Sequence, residues 1–488
     1  MTNSRDSLSP RWRGEGRVRG GFVSGLVPSA VASRCSPSPQ PSPRQRGARG
    51  LIALVLGIGA LLLSLPAQAI EIQRVVSPGG IEAWLVEEHS NPIMALSFSV
   101  IGGAALDPVG QEGRARMASA LLDEGAGELD SQAFQGELDR LSIQLGFSAG
   151  DDEFRGSLTT LTRTRDRAAD LLALALTRPR FDPEPVERIR GQLQVRLSRK
   201  ANDPNAVAFD TLDSLVFAGH PYGRPLEGTP ETIAALTVED LRAFVAERLA
   251  RDTLKIGVVG DITPAELGPL LDRVFGGLPA SSPAASVPDT APGGAGETRV
   301  VERPVSQSVI FVAQPGPKRD DPDFYAAQVV NYILGGGTFS SRLYAEVREK
   351  RGLAYSVWSD ISSYDHAGLW YGGAATQNAR AAETLQLIRD EWARLAVEGP
   401  SDEEVAKAIT YLTGSFALRL TSSEGIASLL VAIQREDLGI DYVETRASYY
   451  EGLTAEEVRR VAKLWLDPAK LAAVVVGQPE GMAPTPVQ

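Results

Sequence analysis

Two apolar periods alternate along most of the chain. Period-two segments at Ile81 to Val86 and Met94 to Ile101 predict strands and suit a hairpin, and Val309 to Ala313 opens a second set. Period-3.6 segments at Arg165 to Leu176 and Glu184 to Arg199 predict helices. The most informative pair of segments lies far apart. LTVEDLRAFVAERLARDTLKIGVVGD begins at Leu236, and LTAEEVRRVAKLWLDPAKLAAVVVGQ begins at Leu453, an ungapped offset of 217 residues. Thr237 aligns with Thr454, Leu249 with Leu466 and Gly260 with Gly477. Each copy reads as a Thr N-cap, acidic residues in the first turn, an amphipathic helix, a break, and an apolar strand ending in Gly. A repeat at one offset predicts two homologous halves. Strands followed by helices within each half predict an α+β fold, each half a largely antiparallel sheet with helices on one face.

The pattern fails in two places. Small residues and Pro dominate Gly276 to Gly296, with a single charge at Asp289, the composition of a flexible linker. It divides the chain into halves at 70–275 and 297–488. Leu51 to Leu65 is uncharged and mostly apolar; Arg44, Arg46 and Arg49 precede it and Ala67-Gln68-Ala69 follows it. That order predicts a signal peptide cleaved after Ala69, and so a periplasmic or otherwise exported protein. A membrane span needs about 20 residues, more than this run supplies. Residues 1–43 are rich in Arg, Ser, Pro and Gly without periodicity. A signal peptide starts close to its basic residues, so the true start is expected downstream of Met1.

Composition then narrows the chemistry. The 69-residue leader holds nine arginines against Asp6 and Glu15, so its removal moves the net charge from −12 to −19. A surface that acidic excludes nucleic acid as a partner. Cys35, the one cysteine, lies in the leader, leaving no thiol for catalysis or metal binding. The three histidines, His89, His220 and His366, are each more than 100 residues apart, so no local two-His motif exists. No G-x-S-x-G elbow or Walker A loop is present, and Gly335-Gly336-Gly337 lacks the Lys-Ser/Thr of a phosphate loop.

Two longer stretches resemble the pitrilysin/insulinase-type metalloproteases. VIGGAALDPVGQEGRARMASALLDEGAGELDS, from Val100, is similar to the segment that bears H-x-x-E-H in that family. There, two His at i and i+4 hold zinc and the Glu activates the bound water. Aligning Gly113 and Ala115 places Arg116, Ser119 and Ala120 at the His, Glu and His positions. Arg is permanently cationic, Ala offers no ligand atom and Ser is a weak base. The third family ligand, a Glu some 75 residues on, falls near Arg196, and no acidic residue occurs between Glu187 and Asp203. HPYGRPLEGT, from His220, resembles a structural loop of the family. The second stretch, NYILGGGTFSSRLYAEVREKRGLAYSVWSDISSY from Asn331, is similar to the family's C-terminal-domain signature. The resemblance assigns Arg348 and Tyr355 to substrate binding and oxyanion stabilisation. Helical spacing over Ser341 to Lys350, Gly352 just past its end and a strand from Ala354 to Ile361 are expected to bring the two together.

What the resemblance implies is a clam-shell of two halves that is inactive alone. The chain is expected to be the non-zinc subunit of a two-chain metallopeptidase. It would hold no metal or cofactor itself, pair with a homologous zinc-binding subunit, and supply Arg348 and Tyr355 in trans to an unfolded peptide substrate. The alternative is a structural or peptide-binding homologue without a catalytic role.

Overall fold

The computed structural model describes residues 70–283 and 286–485. The leader expected at residues 1–69 lies outside them. Residues Glu71–Gln488 form one compact unit.

The fold is α+β with two mostly antiparallel sheets. The first comprises β1 (Gln73–Val76), β2 (Glu82–Glu87), β3 (Ile93–Ile101), β4 (Gln144–Ala149), β5 (Glu153–Leu161) and β6 (Lys255–Gly260), in the order β1-β2-β6-β3-β5-β4. The second comprises β7 (Thr298–Glu302), β8 (Gln307–Pro315), β9 (Ala354–Ser363), β10 (Gly368–Gln377) and β11 (Ala472–Gly477), in the order β7-β11-β8-β10-β9. Apart from β1, the orders are the same. Each sheet has one parallel pair, β2 with β6 and β7 with β11.

The repeat read from the sequence has its structural counterpart. Helices Val238–Arg248 and Ala455–Trp465 are offset by 217 residues, and each begins with a capping box, Thr237 with Asp240 and Thr454 with Glu457. The strands that follow, β6 and β11, sit at the interior of their sheets. The expected hairpin between Ile81–Val86 and Met94–Ile101 does not form. Both segments are strands, but β6 lies between them and pairs with each. The apolar run Ile256 to Val259 is buried throughout, so the centre of the sheet suits it better than an edge.

Helices of each half cover one face of that half's sheet, as expected; the other face is covered by a helix from the opposite half. On β8, Ile310 and Val312 point into the core of the second half, whereas Val309, Phe311 and Ala313 point the other way. There they meet Ala208, Leu212 and Leu215 of helix Pro204–Val216, which belongs to the first half of the sequence. Helix Ser423–Arg435 returns the exchange. Its Ser428 hydroxyl lies 3.1 Å from that of Ser97 on β3, and Gln434 donates to the Ile256 carbonyl at 2.8 Å. The approach is close: a Cβ on Gly257 would lie 2.3 Å from the Ala427 carbonyl oxygen, so the site requires glycine.

A seam of aromatic and charged groups closes the boundary between halves. Tyr222 meets Phe217 edge-on and Tyr364 at a tilt, with ring centroids 5.5 and 4.7 Å apart. Its hydroxyl donates to Asp152 at 2.5 Å, and Arg435 joins Glu153 of the first half to Asp365 of the second. The part of the small-residue segment at 288–293 is bonded to this seam. The Pro288 carbonyl accepts from His220, Thr290 N–H donates to the His366 carbonyl, and Gly293 N–H donates to that of Val216.

The exchange predicts that Leu430→Ala, at a fully buried site in the second half of the sequence, weakens the first sheet. A large-to-small change there costs about 2–5 kcal/mol. Hydrogen exchange should show lost protection in β3 and β6; unchanged β6 amides would refute a stabilising exchange.

The seam also predicts a pH dependence. Burial first, and Asp152 second, push the Asp151 carboxyl up to about 7. Buried Asp213 is raised as well, by burial and then by Asp151. The folded state therefore holds a proton on Asp151 that the unfolded chain releases near its ordinary value of 3.8. That contribution is fully present below about pH 4 and is lost as pH rises through 7. The urea midpoint should fall between pH 5 and pH 8, and Asp151→Asn should flatten the fall; equal slopes would refute the assignment.

Candidate functional site

The segment that resembles the zinc motif folds as a short helix and lacks the metal ligands. Gly113 takes a left-handed conformation (φ 90°) and starts helix Arg114–Ser119. A Cβ at Gly113 would lie 2.7 Å from Ile233 and 2.8 Å from the Glu227 carbonyl oxygen, so the turn is fitted to glycine. The Ser119 hydroxyl donates back to the Arg116 carbonyl at 2.9 Å, and Ala120 packs against the apolar core. Arg116 is half-buried. Burial, then the neighbouring Arg196 guanidinium, hold it below its ordinary value, with Glu227 opposing.

Arg116 and Arg196, at the first and third ligand positions of the resemblance, are thus brought together. The acid between them is Glu227, which accepts from Arg196 at 2.5 Å. Glu227 lies off helix Pro183–Ala201, where the resemblance places the third ligand, and arrives from the loop after His220. These residues do not fit zinc: two are guanidinium cations, one is alanine, and the serine hydroxyl is engaged by its own helix. Among the described residues, no group of three or more His, Cys, Asp or Glu is arranged to hold a metal.

The histidines are occupied elsewhere. Tyr222 N–H donates to His220 Nδ1, leaving Nε2 to donate to the Pro288 carbonyl. His89 pairs with Asp261 at 2.8 Å and His366 with Asp289 at 2.9 Å.

The second candidate pair does converge. The Arg348 guanidinium carbon lies 4.6 Å from the ring centroid of Tyr355 and 4.8 Å from that of Tyr344. Tyr355 is 80% exposed on the edge strand β9. The segment predicted as an ordinary helix is a wide π-type turn over Tyr344–Glu349, in which Lys350 N–H reaches back to the Ala345 carbonyl. Gly352 then reverses the chain (φ 60°) into β9. The nearby acid is already committed. Glu346 is bound by Lys350 and Arg351, which hold its carboxyl down to about 2. Among the described residues the Arg348 side chain has no carboxylate partner and no hydrogen bond, and it lies over two rings. Its N–H donors and the Tyr355 hydroxyl are therefore open to a ligand.

The three glycines upstream serve packing. Gly335 sits where a Cβ would lie 2.4 Å from the Ser359 amide, so they let the Tyr332–Gly336 turn press onto β9. Among the described residues, no hydrogen bond, ion pair or ring contact joins the Arg116 and Arg348 groups.

Residues 235–412 match the family description "Peptidase M16 inactive domain", a span that starts in the last helix–strand unit of the first half. Relatives include an uncharacterized zinc protease of Streptomyces coelicolor, 25% identical over 80% of this chain and 86% of its own. The non-peptidase homolog YmxG of Helicobacter pylori is 26% identical over 78% and 86%. A probable mitochondrial-processing peptidase subunit beta of Schizosaccharomyces pombe is 27% identical over 78% and 86%. Among solved structures, a peptidase M16 inactive domain from Pseudomonas fluorescens superposes with a TM-score of 0.79 at 28% identity, covering 86% of this chain and all of that one. A protease from Helicobacter pylori shares the fold, with a TM-score of 0.76 at 18% identity, over 83% and 99%. Over residues 235–412 the chain matches the inactive domain of the M16 peptidases, and over most of its length it is similar to proteins of that pitrilysin/insulinase type.

Proposed function

We propose that this chain is the non-zinc subunit of an exported two-chain metallopeptidase, donating Arg348 and Tyr355 to a site completed by a homologous zinc-binding partner. The observation that carries the reading is the state of the two half-sites. The metal positions hold Arg116, Ser119 and Ala120, while Arg348 and Tyr355 converge at an exposed edge with their donors unspent.

In this reading a peptide carbonyl lies against the pair. Arg348 and the Tyr355 hydroxyl donate to its oxygen, and the bond strengthens as that oxygen gains charge in the tetrahedral intermediate. Fixed donors of this kind lower the barrier without reorganising during the reaction. The partner supplies the metal and the activated water. The relative named as a processing peptidase subunit favours a homologous partner. The relative named as a non-peptidase homolog favours a second reading, a structural or peptide-binding subunit in which the pair does no chemistry.

Reconstitution with the zinc-bearing partner separates the two. Arg348→Ala and Tyr355→Phe should each lower kcat about 10²–10³-fold, the usual loss for one oxyanion donor. Because the Tyr355 side chain is largely exposed, stability should change by no more than about 0.5 kcal/mol, read as an unchanged urea midpoint. Variant chains that support cleavage as well as wild type would leave the second reading standing.

A further inference from the structure

The replaced metal positions carry a charge arrangement of their own. In a chain of net charge −12, Arg116 and Arg196 share a single carboxylate, Glu227, which is bonded to Arg196 alone. Arg116 is left with no hydrogen bond or ion pair among the described residues, and its Nε is shielded from solvent without an acceptor. A half-buried guanidinium without an acceptor is costly, because charged donors lose the most when left unpaired. Lys200, whose charge also reaches Glu227, is already paired with Asp210 at 2.8 Å, so it does not compete for Glu227.

The group is open on one side. The Arg196 side chain is 42% exposed against 14% for Glu227. Helix Arg114–Ser119 packs against β4, the edge strand of the first sheet, which is hydrogen-bonded on one side only. An extended segment lying along such an edge gains backbone hydrogen bonds without displacing anything.

We propose that Arg116 and Arg196 form an oxyanion subsite that takes a peptide carboxylate, with Glu227 orienting Arg196. Guanidinium forks match carboxylates in geometry and charge, and a carboxylate here would supply the acceptor Arg116 lacks. That the oxyanion arrives on a peptide rests on the proposed function; the demand for an oxyanion comes from the arginines alone. Two sources offer this chemistry, a C-terminal carboxylate and an Asp or Glu side chain.

Calorimetric titration of the chain with three N-acetylated hexapeptides of one apolar sequence tests the proposal: the free acid, its C-terminal amide, and the amide with one internal Glu. The free acid, the Glu-bearing amide or both should bind about ten- to a hundredfold more tightly than the plain amide, as one charged hydrogen-bond set supplies. Which of them gains identifies the source. Arg116→Gln and Arg196→Gln should each abolish the gain, Arg116→Lys should keep part of it, and Arg348→Ala should leave it intact. Equal binding of all three peptides, no binding of any, or a gain that persists in folded Arg116→Gln would overturn the subsite. The result is independent of the cleavage assay. A carboxylate preference beside unimpaired Arg348→Ala complexes would keep the subsite and remove the donated pair.

Discussion

The structure depends on the exchange of two helices between its halves. Each sheet is apolar on both faces, and its own half covers only one. Helix Pro204–Val216 buries the second face of the C-terminal sheet, and helix Ser423–Arg435 buries the second face of the N-terminal one. Neither half could stand alone without exposing the alternate residues of its central strands, such as Val309, Phe311 and Ala313. Burial of apolar area, at about 25 cal/mol per Å², thereby couples the halves more strongly than a few surface ion pairs would. The seam at Tyr222, Tyr364 and Arg435 follows, because the exchange brings two hairpin ends together at the boundary. Whatever the two half-sites do, they do it on a frame whose halves hold each other in place.

That frame was only partly legible in the sequence. The repeat was visible because capping boxes and all-apolar strands are local signals, and Thr237 and Thr454 carry the same one. The destination of each helix was not. Ala208, Leu212 and Leu215 form an apolar stripe that fits any sheet, and nothing local says that the sheet belongs to the other half. The false hairpin has the same cause. Alternation marks Glu82–Glu87 and Ile93–Ile101 as strands but cannot announce that β6, arriving more than 150 residues later, takes the place between them. Long-range pairing is set by global burial, which period-two patterning does not encode.

The site shows the same division. The seven-residue spacing of Arg348 and Tyr355, with Gly352 between them, was enough to bring a helix end and a strand start to one point. The π-type turn was not foreseen, since its cause is tertiary. Asn331 accepts from Ser359 at 2.7 Å and from the Trp370 indole at 3.0 Å, tying the preceding helix to β9 and β10. Gly335 then allows the Tyr332–Gly336 turn to seat on β9. The segment that carries Arg348 is a second wide turn, and the guanidinium lies over Tyr344 and Tyr355. Glu227 was invisible for a simpler reason: it meets Arg196 from a loop, not from the helix on which the resemblance places an acid.

The two arginine groups make opposite use of one side chain. Arg348 lies between rings on an exposed edge, and its neighbouring acid, Glu346, is taken by Lys350 and Arg351. Its donors are kept free while the rings limit where it can point. Arg116 is partly buried beside a second arginine, with one carboxylate for two cations. A helix that had merely lost its metal would be expected to gain apolar or neutral residues, as Ala120 has, because burying an unpaired charge is destabilising. A guanidinium there works against stability, and Glu227, bonded to Arg196, offsets its charge without a hydrogen bond to it. The half-site without a metal is therefore more than an empty remnant in physical terms: its charge is unbalanced in the sense that an anionic ligand would correct.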